Sequence, residues 1–430
     1  MKRLFFLSLV TITVWSCQKN SQPDDKTMPP TVTTAAISSI ASSNASCGGN
    51  VSSDGGDAVT AYGVCWNISP SPSITGNHTT DGSRTGNFVS NITGLTSGTT
   101  YYVRAYATNS IGTSYGNEVS FTTLNPDVYV AGYEGNGTTG VAKIWKNGIP
   151  TILGNATFPS TAYSVFVSGS DVYVAGTEKD AVGSFPKIWK NGISTTLSNV
   201  NNSNAYSVFV SGSDVYVAGE ENLPTGLTAR LWKNGIAAPM TISAQGSFAT
   251  SVYVSGSDVI VGGDDCSTTS CANATIWKNG VPTSLSTSKH VINSVFVSDN
   301  NIYAAGEDRS GANYIAKVWK NGTPTFQTDG TSAAHAYSVY VSGSDVYVAG
   351  SEKIGTRYAA KIWKNGTATS LTYGSNNAEA LSIYVLGSDV YVAGYENNGT
   401  RDVAKIWKNG VPTSLTDGTY GAWGMSVFVK

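Results

Sequence analysis

From about Met28 onward, apolar positions fall in short runs rich in Val, Tyr, Phe and Ile, separated by Gly, Ser, Asn and Asp. That is the pattern of brief strands joined by tight turns. After Pro126 the runs become periodic. The hexamer DVYVAG starts at Asp127, Asp171, Asp214, Asp258 (as DVIVGG), Asn301 (as NIYAAG), Asp345 and Asp389, always 43 or 44 residues apart. Tryptophan keeps the same beat at Trp145, Trp189, Trp232, Trp277, Trp319, Trp363 and Trp407, each followed by Lys-Asn-Gly. Within one unit YSVFV predicts a strand, SGSD a turn and VYVAG a second strand. A variable loop follows, then a third strand in AKIWK, an Asn-Gly hairpin turn and a fourth strand in VPTSL. These strands are apolar on both faces, as sheets packed between neighbours should be.

Seven four-stranded units of this length predict an all-β fold with a seven-bladed β-propeller over residues 126–430. The first unit opens on its second strand at Asp127, whereas the chain finishes on GMSVFVK, a first strand with no unit behind it. The terminal strand is therefore expected to complete the deficient copy and seal a ring. Antiparallel order puts the uniform SGSD and Lys-Asn-Gly turns on one face and the varied loops on the other. The varied face is the expected working surface, pointing away from the N-terminal segments.

Before the repeats, residues 28–125 show the short-strand pattern of a β-sandwich. LTSGTTYYVRAYATNSIGTSYGNEVSFTT, from Leu95 to Thr123, resembles the last two strands of a fibronectin type III domain. The resemblance implies that Tyr101 is a corner tyrosine and that the domain is a spacer. The repeats with Trp-Lys-Asn-Gly resemble those of Bacteroidota propeller lipoproteins, which implies architecture and location but no activity.

Only 13% of residues are charged and the net charge is −2, which leaves no field to hold nucleic acid. Residues 1–17 read as an export signal: Lys2-Arg3, an apolar run from Leu4 to Trp15, then Ser16-Cys17. VWSC resembles the lipobox of bacterial lipoproteins, with Cys17 as the lipidated residue; a plain secretory signal is the alternative. Residues 18–27 read as a flexible tether, and Gln18-Lys19 resembles a Bacteroidota surface-export signal. The expected location is the bacterial outer membrane through a lipid anchor, surface-exposed or secreted. Four further cysteines suit an oxidising envelope, and two disulfides are the simple reading, Cys266 with Cys271 and Cys47 with Cys65. No metal or other cofactor is expected, since none of the three histidines, His78, His290 and His335, lies near the Cys266–Cys271 pair in sequence.

An acid stands seven positions after each unit's start (Glu134, Glu178, Glu221, Asp265, Asp308, Glu352, Glu396), and in six units a base stands two before the Trp. Cross-strand ion pairing explains this pattern; an acidic ring for a cation or sugar is the alternative. Serine recurs on the first strands from Ser164 to Ser426, but nothing in the pattern supplies the base a nucleophile needs. The candidate ligand-binding residues lie in the varied loops of the last three blades and their links: Arg309, Arg357, Arg401, Tyr373, Tyr420 and Trp423. The expected function is non-enzymatic binding of a protein or glycan at a cell surface. A propeller glycosidase or lyase and a passive structural surface protein are the competing readings.

Overall fold

The computed structural model describes residues 27–238, 240–242, 246–265, 273–286, 290–309 and 311–430. The described residues are all-β, in many small antiparallel sheets with no helix. Cys17, Cys266 and Cys271 lie outside them. The chain forms two compact units, one comprising residues up to Thr93 with Gly98–Thr123, the other Gly94–Ser97 with Leu124–Lys430.

In the first unit, β1 (Thr31–Thr34), β2 (Asn44–Ser53) and β5 (Gly86–Thr93) make one sheet. The second contains β3 (Ala61–Asn67), β4 (Asn77–His78), β6 (Thr100–Thr108), β7 (Thr113–Tyr115) and β8 (Val119–Thr122). Tyr101 is buried and stacks on Phe121, its partner across β6 and β8. Cys47 and Cys65 do not form the expected bridge: both are free, buried thiols. Strand parity gives the reason. Cys47 and Gly49 share a face of β2, and a Cβ on Gly49 would meet the Ala105 methyl of the other sheet at 2.8 Å, so that face looks inward. Ala105 pairs with Val64, but Cys65 pairs with Arg104 and therefore occupies the opposite face of its sheet. Its Sγ donates to the Arg104 carbonyl instead, and burial pushes the thiol up to about 11.

Among the described residues the second unit contains seven four-stranded antiparallel sheets, counted one to seven from the N-terminal end. Sheet two shows the pattern, with strands Ser160–Ser168, Asp171–Lys179, Ser184–Lys190 and Ile193–Thr196. Sheet one takes β9 (Val128–Gly135), β10 (Gly140–Lys146) and β11 (Ile149–Ile152) from its own unit and the terminal strand Ala422–Val429 as its first strand. Val427 pairs with Val130 and Val429 with Val128. The seven repeat tryptophans are all at most 2% exposed, each held between sheets. Trp189 packs against Ala131 and Ile144 of sheet one, while Trp145 packs against Tyr391 and Ala393 of sheet seven, so the packing returns to its start. Gly176 is small by necessity, because a Cβ there would lie 2.1 Å from the Thr161 carbonyl oxygen and 2.8 Å from Trp189 Cζ3.

The Trp-Lys-Asn-Gly motif is also explained locally. Asn191 and Gly192 adopt positive φ of 51° and 83°, the twist a two-residue hairpin needs. The Asn191 side chain accepts from the Val172 N–H at 2.8 Å and donates to Asp171 at 2.8 Å. Lys190 reaches the same carboxylate at 2.8 Å and lies over the Tyr173 ring. The opening Asp of the unit thus ties the two turns at one end of the sheet together.

Candidate functional site

Each first strand carries a one-residue bulge just before its serine, and the register slips past Tyr163, Tyr206, Thr250, Asn293, Tyr337, Leu381 and Met425. A bulge re-aims the extra side chain. All seven point into one cavity of about 500 Å³, together with Phe248, Asp264 and Arg309. The serine that follows each bulge accepts from a backbone N–H of the next first strand, at 3.0–3.3 Å in all seven cases. Ser426 closes this belt onto Val165. Two residues further along, Phe166, Phe209, Tyr253, Phe296, Tyr340, Tyr384 and Phe428 form a closed circuit of rings with centroids 4.6–5.1 Å apart. The cavity is therefore backed by a serine belt and an aromatic collar, and its other side is the side of the varied loops.

Parity along the second strand places two sets of acids on opposite faces, and of the second set Asp264 lines the cavity. At the seventh position the acids meet their bases: Glu134 with Lys143 at 2.5 Å, Glu221 with Arg230 at 2.5 Å, Asp308 with Lys317 at 2.7 Å and Glu178 with Lys187 at 3.5 Å. Lys361 meets Glu352, and Lys405 meets Glu396 at 3.4 Å. The sixth position faces the other way, and in sheets three to five it holds Glu220, Asp264 and Glu307. All three are at least 92% buried, with exposures of 4%, 8% and 1%.

Their environments differ. Glu220 Oε1 accepts from the Tyr206 hydroxyl at 2.7 Å and from Asn204 at 2.8 Å, while its Oε2 is buried with no partner. Glu307 is held by Arg309 Nε at 2.8 Å, and His335 Nδ1 lies 2.5 Å from its Oε2. Burial alone would raise the Glu307 carboxyl, but the hydrogen bonds and charges of His335 and Arg309 outweigh it and hold it below the usual range. Among the described residues, Asp264 receives one hydrogen bond, from the Ile292 N–H at 3.2 Å. Burial pushes its carboxyl up to about 7, the Ile292 bond and the Arg309 charge opposing and the Glu307 charge adding. Among the described residues, no group of three metal-binding side chains gathers.

Of the six residues singled out from the sequence, Arg309 lines the cavity, bound to Glu307 and lying over the Tyr314 ring. Trp423 is half-buried on the terminal strand, stacked on Tyr395 at 4.5 Å with its indole N–H donating to Asp402. Tyr420 lies over Gly135 and Gly137. Arg357, Arg401 and Tyr373 are exposed on the outside, Tyr373 at 82%, and none of them lines the cavity. The sequence reading overlooked the bulge position and the sixth-position acids. Their signal was available: the residue before each first-strand serine varies from Tyr to Asn to Met between near-identical copies.

No family model matches the chain, and no curated protein matches it. Among solved structures, it is similar to TolB from Acinetobacter baumannii, with a TM-score of 0.41 and 9% identity over 76% of this chain and 79% of that one.

Proposed function

We propose that the protein is a non-enzymatic binding module: a fibronectin type III-like spacer followed by a seven-bladed β-propeller closed by its C-terminal strand. In this reading Cys17 carries a lipid that anchors it to a bacterial outer membrane, and the propeller engages a protein or glycan on its loop side. The observation that carries the reading is the cavity of about 500 Å³, walled by the seven bulged residues and backed by the aromatic collar. Its volume and mixed aromatic and polar lining suit a small molecule or the end of a larger ligand. The repeated serines have their Oγ atoms engaged by backbone N–H groups, which disfavours a nucleophilic role.

A glycan and peptide array probed with the purified protein tests this. Binding should disappear in Leu381→Trp, which fills the cavity, and persist in Arg357→Ala on the outside. The reverse result would move the site to the outer loops, and no binding at all would leave the passive structural reading. Asp264 favours one second reading, because a carboxyl near 7 suits a general acid of a glycosidase. Turnover of chromogenic glycosides, lost in Asp264→Asn, would establish that reading in place of ours. Cys17→Ala should move the protein out of the membrane fraction.

A further inference from the structure

We infer that the cavity selects a small organic ammonium ion, its positive head against Asp264 and its carbon groups against the rings of Phe248, Tyr163, Tyr206 and Tyr337. The inference rests on the reading of the cavity as a ligand site and adds the charge of what enters it.

The first argument is the unfilled acceptor. Asp264 lines the cavity at 8% exposure, and among the described residues its single hydrogen bond, from the Ile292 N–H, falls on Oδ1 and leaves Oδ2 facing no donor. Glu220, at the same position of the preceding sheet, keeps its Oε2 buried without a partner. A desolvated carboxylate in this state calls for a proton or a cation. The charged groups acting on Asp264 are Arg309 and Glu307. Arg309 puts both Nε and Nη2 on Glu307, whose other oxygen faces His335. That cluster satisfies itself, and the charge of Asp264 is left for a ligand.

The second argument is the wall opposite. Phe248 is the cross-strand partner of Asp264, and such partners share a sheet face as nearest neighbours. Tyr163 and Tyr206 meet edge to face at 5.4 Å, and Tyr337 adds a third phenol. Ring faces attract a cation that has shed its water, and a fixed carboxylate beside them supplies the counter-charge. A neutral sugar would use the same rings and could donate hydroxyls to Asp264, but it would leave the carboxylate charge uncompensated in the cavity wall.

The test compares choline with its neutral isostere, 3,3-dimethylbutan-1-ol, by titration calorimetry on the intact protein. At pH 8 choline is expected to bind at least tenfold more tightly. Asp264→Asn, which keeps the shape and removes the charge, should erase that difference. With Asp264 titrating near 7, its ionised fraction falls about tenfold from pH 8 to pH 6, and choline affinity should fall by about the same factor in the wild type only. Equal binding of the two probes, or no choline binding at pH 8, overturns the inference. Array hits that vanish in Leu381→Trp would in that case leave the binding-module reading standing, so the two failures are distinguishable.

Discussion

A carboxyl buried with half its hydrogen bonds missing opposes folding whenever it is ionised, so the cost at Asp264 depends on pH in a definite direction. Its folded value near 7 lies above the 3.8 of an unstrained Asp, so the native state binds more protons than the unfolded chain between those limits. The contribution is therefore fully favourable below about pH 4 and is lost as pH rises through 7. At one pKa unit per ~1.4 kcal/mol the loss reaches up to about 4 kcal/mol. Asp264→Asn should accordingly be more stable than wild type at pH 8 by a few kcal/mol and no more stable at pH 4. Urea denaturation at the two pH values checks this. A variant destabilised at pH 8 would mean that Asp264 is paired in solution. A buried acid that costs stability when ionised is a feature of the kind ligand sites use, and no repeat rule predicted it, because sheets one, two, six and seven carry Tyr, Thr, Ser and Tyr at that position.

At the scale of the strand, one-residue register decides what each side chain does. Strand order, the Asn-Gly hairpins and the acid–base pairs were legible because composition and spacing mark them directly. Face assignment was not, since a bulge inverts parity without changing composition; facing likewise misled the pairing of Cys65 with Cys47, because Cys47 points inward from its sheet while Cys65 lies on the outward face of the other. The recurring serines marked no chemistry in the sequence, yet each accepts a hydrogen bond across sheets. Ser294→Ala should therefore cost about 1–2 kcal/mol, the penalty for stranding the Val339 N–H that it now receives at 3.3 Å. Ser170→Ala in an exposed turn should cost nearly nothing. Equal stability of Ser294→Ala and wild type in urea would return the serines to a packing role. Asn191→Ala loses two hydrogen bonds and leaves at φ 51° a residue without the local side-chain hydrogen bonding that lets asparagine hold the left-handed region, so a loss of about 1–3 kcal/mol is expected there.

For the repeat unit as a whole, closure depends on a single strand joined to the first sheet from the far end of the chain. Without Ala422–Val429, β9 would present a bare edge from Val128 to Glu134, the serine belt would lose Ser426 and the aromatic circuit would lose Phe428. Packing would also lose Val427 and Val429 against Trp145. An exposed apolar edge of this kind pairs with whatever strand is available. A chain ending at Gly421 is therefore expected to self-associate, with one copy's edge capped by another, and to unfold at lower temperature. Misfolding alone could give the same result, so the decisive step is to add the peptide AWGMSVFVK in trans. If the ring is otherwise complete, the peptide should dock on β9 by strand addition and restore a monomer in light scattering. A scrambled peptide of the same composition should not. Full monomer stability of the truncated chain without any peptide would show that the six complete sheets hold the ring alone and that the terminal strand is dispensable to it.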